Sequence, residues 1–231
     1  MIKTAILVDG GFYRKRAYEI TGFKYPKPRA LELYDYCQKH INDVSADGEK
    51  RILYRILYYD CKPSDKQVFH PFLQQEINLR ESRTYEWTNE FFKALTNLRK
   101  VALRFGALSA ETAVYKIRDN VLVKLCKKEI DFKDLTEKDF ILDMDQKGVD
   151  MRIGLDIASL AYKRLVDQLI LIAGDSDFIP VAKLARREGI DVIIDPMGAH
   201  IKDTLNEHVD GLKSYWRELK CPTPNAISES K

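Results

Sequence analysis

The sequence lacks the cysteine and histidine patterns that hold zinc. Its four cysteines lie far apart, with no CxxC pair, at Cys37, Cys61, Cys126 and Cys221. The four histidines have no zinc-ligand spacing, either among themselves or with the cysteines. We therefore predict no structural zinc, and we expect free thiols in a reducing compartment.

Long apolar runs are also missing. No stretch approaches the roughly 20 residues that a membrane-spanning helix needs, and the start of the chain has no basic segment followed by a long apolar one. We expect a cytoplasmic protein that does not bind membranes. The composition, 45% hydrophobic and 32% charged, is typical of a globular protein with a core. The net charge of +3 is too small to establish a nucleic-acid partner, but it does not repel one.

Two families of phosphate chemistry lack their motifs here. The sequence has neither GxGxxG after a strand nor GxxxxGK[ST], so nucleotide-cofactor sites are poorly supported. An aspartyl-phosphate hydrolase commonly needs DxD after its first strand. In this chain Asp9 is followed by Gly10 and Gly11, and the second acid is missing.

Apolar strands alternate with helical segments along the chain. Strands are predicted at 4–11, 51–60, 100–108, 168–175 and 190–195, and helices at 29–43, 146–165, 177–189 and 197–212. This alternation predicts crossover connections and a parallel sheet. Continuous apolar strands indicate a sheet covered on both faces. The predicted fold class is therefore α/β, a three-layer sandwich with a central, mainly parallel sheet.

The middle of the chain is less regular. Residues 64–100 are helix-prone apart from the strand that begins at their end, and 110–145 fit either a hairpin with its turn at Asp119–Asn120 or a strand followed by a helix. We predict one domain, 1–221, with an insertion around 61–145. A polar tail, 222–231, has nothing to bury.

Three acids stand where the elements of the sheet end or begin. Asp9 closes the first strand, Asp175 closes the strand LILIAGD, and Asp150 begins the helix DMRIGLDIASLAYKRL. Ligands of open parallel sheets bind outside the carboxyl ends of the strands. Helical spacing places Asp150 on the same stripe as Ile153 and Ile157, so we expect it to point toward the sheet.

Two further acids have more than one interpretation. Asp156 flanks the apolar stripe, and we assign it a supporting hydrogen-bonding role, with a direct role in the site left open. Asp177 is either the cap of the following helix or a metal contact, direct or through water. Ser176 is the alternative cap.

Taken together, these carboxylates would repel one another and raise each other's pKa. A divalent cation removes that conflict, and oxygen ligands without nearby cysteine or histidine suit Mg²⁺ or Mn²⁺. Such an ion activates water and neutralises charge on a phosphoryl group. The predicted metal-binding residues are Asp9, Asp150, Asp175 and Asp177.

Three blocks of the sequence resemble the NYN domain proteins, in the LabA-like branch of the PIN-like nuclease superfamily. They are LVDGG, KGVDMRIGLDIASLA and LILIAGDSDFIPVAKLARREGIDVII. The resemblance implies an α/β sandwich and a metal-dependent ribonuclease site in which Asp9, Asp150 and Asp175 are catalytic metal ligands. Asp156 and Asp177 match further acids of the pattern. Many members carry Asn shortly after the first acid, whereas this chain has Phe12.

The resemblance implies RNA as the partner, and several residues near the acids are candidates to bind it. Lys147, Arg14 and Lys15 suit the phosphate backbone, and Phe12 suits a base. A solvated surface for the basic residues, and buried packing for Phe12 or Tyr13, are the alternatives. We expect an Mg²⁺- or Mn²⁺-dependent endoribonuclease acting on single-stranded RNA. The alternative is an RNA-binding or regulatory module with little or no cleavage. The oligomeric state is open, and a homodimer is one candidate.

Overall fold

The computed structural model describes residues 1–43, 48–108, 113–144, 146–200 and 207–219, with the backbone alone for Leu108, Gln146, Lys147 and Ser176. The chain divides into two compact units. The first comprises 1–60, 90–105 and 149–231, and the second comprises 61–89 and 106–148. The second unit resembles the predicted insertion, 61–145, except that 90–105 belongs to the first unit. The predicted tail, 222–231, lies outside the described residues.

The helices and strands alternate over most of the first unit. The helices are α1 (Gly10–Thr21), α2 (Pro26–Asn42), α3 (Arg83–Thr96), α4 (Asp119–Cys126), α5 (Val149–Tyr162), α6 (Ile179–Arg187) and α7 (Trp216–Leu219). The strands are β1 (Ile2–Asp9), β2 (Arg51–Cys61), β3 (Gln67–His70), β4 (Gln75–Asn78), β5 (Val101–Leu108), β6 (Val114–Ile117), β7 (Phe140–Asp143), β8 (Gln146–Lys147), β9 (Gln168–Ile172), β10 (Asp191–Asp195) and β11 (Gly211–Leu212).

The first unit is built on a six-stranded parallel sheet in the order β11-β10-β9-β1-β2-β5, flanked by helices. The central strands carry apolar side chains on both faces: Ala5 to Val8 in β1 and Leu169 to Ile172 in β9 are all buried. Continuous apolar strands of this kind are stable only when helices cover both faces. The predicted three-layer α/β class is therefore confirmed.

Several local predictions differ from the structure. The strand predicted at 4–11 ends at Asp9, because α1 begins at Gly10. Residues 113–126 form a strand followed by a helix, the second of the two predicted alternatives. The predicted helical segment 197–212 is wrong at its end, where Gly211 and Leu212 add an edge strand beside β10. Its middle, 201–206, lies outside the described residues.

The second unit contains two antiparallel hairpin-like pairs, β3 with β4 and β6 with β7. The helix-prone assignment of 64–100 missed the first pair, because short strands of four residues carry too little periodicity to be recognised. Aromatic rings pack inside this unit. The ring of His70 lies 4.3 Å from that of Tyr115 and 5.4 Å from that of Phe140. At the end of β5, Ala107 and Leu108 pair antiparallel with β8.

A buried carboxylate joins α2 to the end of β10. Asp195 is fully buried and accepts hydrogen bonds from the Tyr36 hydroxyl (2.5 Å) and from the backbone N–H of Met197 (2.7 Å). The Ser214 hydroxyl donates to it at 2.5 Å, and His40 Nε2 lies 2.8 Å from it. Burial and the neighbouring Asp195 both raise the pKa of Tyr36, so the phenol keeps its proton and acts as a donor.

Removing the Tyr36 hydroxyl tests this network. Tyr36→Phe is expected to lower the free energy of unfolding by about 1.5–3 kcal/mol, because a buried carboxylate loses one charge-assisted donor. Urea unfolding measures the difference. Tyr34→Phe, on the same helix, is the matched control and should change stability by less than about 0.5 kcal/mol. Equal effects of the two substitutions would contradict this account of the network.

Candidate active site at the carboxyl edge of the sheet

Asp9 ends β1 and caps the helix that follows. Its Oδ1 accepts a hydrogen bond from the backbone N–H of Phe12 at 3.2 Å, which is the expected role of a cap residue. Burial nevertheless raises the pKa of Asp9 to about 6, although the bond from Phe12 lowers it. The negative charges of Asp150 and Asp60 raise it further. The Asp9 carboxylate is thus held at a place that disfavours its charge.

Asp150 is close enough to the other acids to respond to their charge. Burial raises the pKa of Asp150, and the charges of Asp175 and Asp177 raise it further. Asp150 is therefore near enough to influence Asp9 and to be influenced by the acids that follow β9. The four acids stand at the ends of β1 and β9 and at the start of α5, at the carboxyl edge of the sheet.

The orientation predicted for Asp150 is wrong. The stripe of α5 is buried as predicted, at Ile153, Ile157, Leu160 and Ala161. Asp150 itself is exposed to solvent. It is the second residue of α5 and lies in its first turn, so helical periodicity alone did not decide its burial. An exposed carboxylate at this position is available to a ligand that approaches from solvent.

The capping role considered for Asp177 belongs to another residue. Asp175 Oδ1 accepts a hydrogen bond from the backbone N–H of Asp177 at 3.0 Å. A short 3₁₀ turn, Ser176–Phe178, leads into α6, and no side chain caps α6 itself. Asp177 is exposed and carries no capping bond, which leaves its charge to act on Asp150. The side chain of Ser176, the other predicted cap, lies outside the described part of the chain.

A buried ion pair beside Asp9 was not predicted. Asp60, at the end of β2, is 1% exposed, and its carboxylate accepts hydrogen bonds from the guanidinium of Arg14 and from the Tyr58 hydroxyl (3.0 Å). Burial lowers the pKa of Arg14, but the neighbouring Tyr58 and Asp60 outweigh burial and raise it. Arg14 is therefore paired with a buried acid, a role different from the predicted contact with RNA phosphates. The signal was present in the sequence, since β2 also ends in Asp.

The first glycine of LVDGG is explained by this ion pair. A Cβ atom at Gly10 would lie 2.5 Å from Asp60 Oδ2 and 2.6 Å from the Tyr58 ring, so a side chain does not fit there. The absence of a side chain lets α1 start close to β2. Gly10 is thus required by the close packing of α1 against β2 next to Asp9.

Asp156 lies farther along α5 and makes two hydrogen bonds. Its Oδ2 accepts one from the Tyr59 hydroxyl at 2.8 Å and one from Arg104 Nε at 3.1 Å. Tyr59 lies beside Asp9 in the register of β1 with β2. Asp156 thus ties α5 to the strand that carries Asp60, in the supporting role assigned to it.

A surface pocket of about 580 Å³ opens beside Asp9 and Asp175. Phe12 lines it, and its ring lies against Gly174, where an added Cβ would come within 2.5 Å of the ring. Basic side chains complete the lining, from Lys15, Arg16 and His200, together with Glu19 and Ala199. The pocket therefore combines three acids, an aromatic ring and the positive charges of Lys15 and Arg16.

Arg16 is fixed at the wall of this pocket. Its NH2 group donates a hydrogen bond at 2.9 Å to the carbonyl of Met197, the residue whose N–H is held by Asp195. Met197 has a φ of 47°, the left-handed region that is unfavourable for a side chain, so the surrounding contacts hold its backbone in place. Arg16 also pairs with Glu19 at 2.5 Å.

The other candidate RNA-binding residues differ in their exposure and in whether they line the pocket. Lys15 is exposed and lines the pocket, Phe12 is half-buried in its wall, and Tyr13 is completely buried against α2. The side chain of Lys147 lies outside the described residues. Of the aromatic pair, Phe12 alone is available to a ligand.

The acidic donor set suits a hard divalent cation in its chemistry, since it consists of carboxylate oxygens. Burial and neighbouring acids raise the pKa of Asp9 and the pKa of Asp150, and a cation would relieve that cost. Within the described ranges, no three His, Cys, Asp or Glu side chains are close enough to hold a metal ion as they stand. Mg²⁺ commonly binds through one or two carboxylates and completes its shell with water and substrate phosphate. The residues present therefore fit a cation held by part of this set together with substrate.

Comparisons with known proteins identify the family. The family model described as "NYN domain" matches residues 78–210, which is more than half of the chain. Asp150, Asp156, Asp175 and Asp177 fall within the match, whereas Asp9 and Asp60 precede it. No curated protein matches the chain. A crystal structure of a protein of unknown function from Vibrio parahaemolyticus RIMD 2210633 is 15% identical, with a TM-score of 0.46 and 92% of each chain covered.

The chain belongs to the NYN domain family. The NYN domain places the chain in the PIN-like nuclease superfamily. NYN domains are generally nucleases, which are hydrolases. Across the described residues, no helix is long and apolar enough to cross a membrane. The narrower LabA-like assignment stays a prediction.

Proposed function

We propose that this protein is a ribonuclease that cleaves phosphodiester bonds of single-stranded RNA with the help of Mg²⁺ or Mn²⁺ at the carboxyl edge of the sheet. The observation that carries the proposal is that Asp9 and Asp175 line one pocket at this edge. Asp150 lies near enough for its charge to raise the pKa of Asp9, and the charges of Asp175 and Asp177 raise the pKa of Asp150. A site that only bound a polyanion would gain nothing from four converging carboxylates, because they repel phosphate.

The candidate ligands of the cation are Asp9, Asp150 and Asp175, with Asp177 as an additional candidate, and part of this set would hold the ion together with water and substrate phosphate. When bound, the cation neutralises charge on the phosphate and supplies an activated water. Lys15 and Arg16 line the same pocket as Asp9 and Asp175, where they can bind the phosphates that flank the scissile bond. Phe12 offers its ring to a neighbouring base, and Asp156 keeps α5 in place through Tyr59 and Arg104.

Incubation with labelled single-stranded RNA tests the proposal. The wild-type protein is expected to cleave internally in Mg²⁺ or Mn²⁺ and to be inactive in EDTA. Asp175→Asn is expected to reduce cleavage by about tenfold or more, because one charged oxygen ligand is lost. Asp65→Asn, an exposed acid of the second unit, is the matched control and should leave cleavage unchanged.

The substitution of Phe12 for the common Asn favours one second function, an RNA-binding module with little or no cleavage. The same assay separates the two. Tight binding without metal-dependent cleavage, in both wild type and Asp175→Asn, would replace the nuclease by the module. Calorimetric titration with Mg²⁺ and Mn²⁺ reports directly on the acids, and absence of binding to either ion, with and without RNA, would remove the metal site from the proposal.

A further inference from the structure

Three aromatic side chains stand exposed at the far end of α1. Tyr18 is 61% exposed, Phe23 65% and Tyr25 72%. The rings of Phe23 and Tyr25 touch edge to face, with centroids 5.5 Å apart. Single exposed aromatics are common, but three in eight residues form an apolar patch of the kind that marks a binding site. We call Tyr18, Phe23 and Tyr25 the aromatic surface.

Basic residues are frequent in the segment that carries the aromatic surface. Residues 10–28 contain five basic side chains and one acidic one, and three of the five, Arg14, Arg16 and Lys24, pair with acids. Among the described residues, Lys15 and Lys27 make no ion pair, and both are exposed. Aromatic rings between free lysines are the combination that binds single-stranded nucleic acid, because rings stack on bases while lysines attract the backbone.

A network of hydrogen bonds and a buried ion pair contacts the loop that carries Phe23 and Tyr25. Arg29 and Glu32, both buried, form an ion pair, and the Arg29 guanidinium also donates to the carbonyl of Gly22 and to the Thr21 hydroxyl (3.0 Å). Glu32 in turn accepts from the Lys24 ammonium. The network thus holds the chain on both sides of Phe23, at the Gly22 carbonyl and at Lys24. An ordered backbone lowers the entropy lost when a ligand binds.

The aromatic surface and the acidic pocket are joined by one helix. Phe12, Lys15, Arg16 and Glu19 line the pocket from one face of α1, and Tyr18 follows Lys15 by one turn on the exposed side. The helix has 12 residues and is about 18 Å long. It begins at Asp9 and ends at Gly22, immediately before Phe23. A strand bound along α1 therefore reaches from the acids to the aromatic surface.

We propose that the aromatic surface binds the bases of single-stranded RNA that extends from the acidic pocket along α1. This inference rests on the proposed function, since it supplies the substrate path of the same site. Stacking needs splayed bases, so the surface selects single strands over duplexes. The path also makes affinity depend on RNA length, because an oligonucleotide that fills only the pocket does not reach Phe23 or Tyr25.

The test measures RNA affinity in the Asp9→Asn/Asp175→Asn background with Mg²⁺, in which cleavage is slow enough for binding to be followed. Fluorescence anisotropy compares a labelled single strand of about 12 nucleotides with one of about three. Phe23→Ala/Tyr25→Ala is expected to weaken binding of the longer RNA by about tenfold or more, since two stacking contacts are lost. Affinity for the short RNA should not change. Phe132→Ala, at a ring that is 74% exposed in the second unit, is the matched control and should bind both as the parent does.

Two further variants separate stacking from apolar contact. Phe23→Trp/Tyr25→Trp should retain affinity for the longer RNA, whereas Phe23→Leu/Tyr25→Leu should lose it. Unchanged affinity of the Ala pair for the longer RNA would overturn the aromatic surface while leaving the proposed nuclease intact. If the parent and the wild type bind neither RNA, both proposals fail. Thermal unfolding of each variant verifies that the exposed substitutions leave the fold unchanged.

Discussion

Replacing Asp9 by Asn is expected to reduce RNA cleavage by about 100-fold or more and, in EDTA, to stabilise the folded protein. The loss of cleavage follows from removal of a charge that helps to hold the cation at the phosphate, and single charge-stabilising groups in such sites are worth about 10²–10³ in rate. The gain in stability follows from the burial that raises the pKa of Asp9 to about 6. An Asn side chain keeps the cap to the N–H of Phe12 without the buried charge.

The pH dependence of stability has a defined sign. Below its ordinary pKa of 3.8, Asp9 is protonated in both the folded and the unfolded chain. Between 3.8 and about 6 the folded protein binds the proton more tightly, so the contribution of Asp9 to the free energy of unfolding falls as pH rises through this window. The difference corresponds to at most about 3 kcal/mol at neutral pH. Asp9→Asn should remove this slope.

Urea unfolding of wild type and Asp9→Asn, from pH 4 to pH 7.5 in EDTA, measures both effects. The two stabilities should converge at low pH, separate as pH rises from about 4 to about 6, and stay apart above pH 6, with the variant more stable. Added Mg²⁺ should narrow the separation by stabilising the wild type selectively. Asp65→Asn again serves as the control for a change of net charge. A variant that is less stable than wild type at neutral pH would show that Asp9 is not held at an electrostatic cost.

Arg14→Met is expected to lower the free energy of unfolding by about 3–5 kcal/mol, since it leaves the buried Asp60 without its cationic partner. Asp60 is 1% exposed, so water does not replace the guanidinium. Lys15→Met, one residue along and exposed, should change stability by less than about 0.5 kcal/mol. Thermal and urea unfolding measure the two variants side by side.

The double variant Arg14→Met/Asp60→Asn completes the test. Asn removes the orphaned charge and keeps an acceptor for the Tyr58 hydroxyl, so the double variant should be more stable than Arg14→Met alone. If Arg14 contacted RNA phosphates instead, Arg14→Met would weaken RNA binding and leave stability unchanged. That pattern would restore the role assigned from the sequence and contradict the ion pair as a structural element.

Much of the fold was predictable because its signals are local. The apolar runs of β1, β9 and β10 define buried strands, and their alternation with helices defines a parallel sheet with two covered faces. The short strands β3 and β4 were missed, since four residues do not establish a period. The edge strand Gly211–Leu212 was missed for the same reason, because a partner strand rather than its own sequence decides its conformation.

Part of the site was also predictable. Acids at strand ends and at a helix start follow from the sequence, and the topology of a parallel sheet brings such ends to one edge. The exposure of Asp150 was not predictable, since helical periodicity describes one helix and not what covers it. The pairing of Arg14 with Asp60 depends on residues 46 positions apart in the sequence, which only the register of the sheet brings together.

The sequence by itself determined the layered α/β fold and the positions of the acids along the chain, because strand and helix periodicity and the chemistry of strand ends are properties of short segments. The tertiary structure alone decided which charges are paired, which carboxylate is buried and which basic and aromatic side chains remain open to a ligand. The physical reason is that desolvation and charge pairing depend on neighbours distant in sequence. Three consecutive basic residues thus have three different roles. Arg14 pairs with Asp60, Arg16 donates to the carbonyl of Met197, and Lys15 lines the pocket without an ion pair.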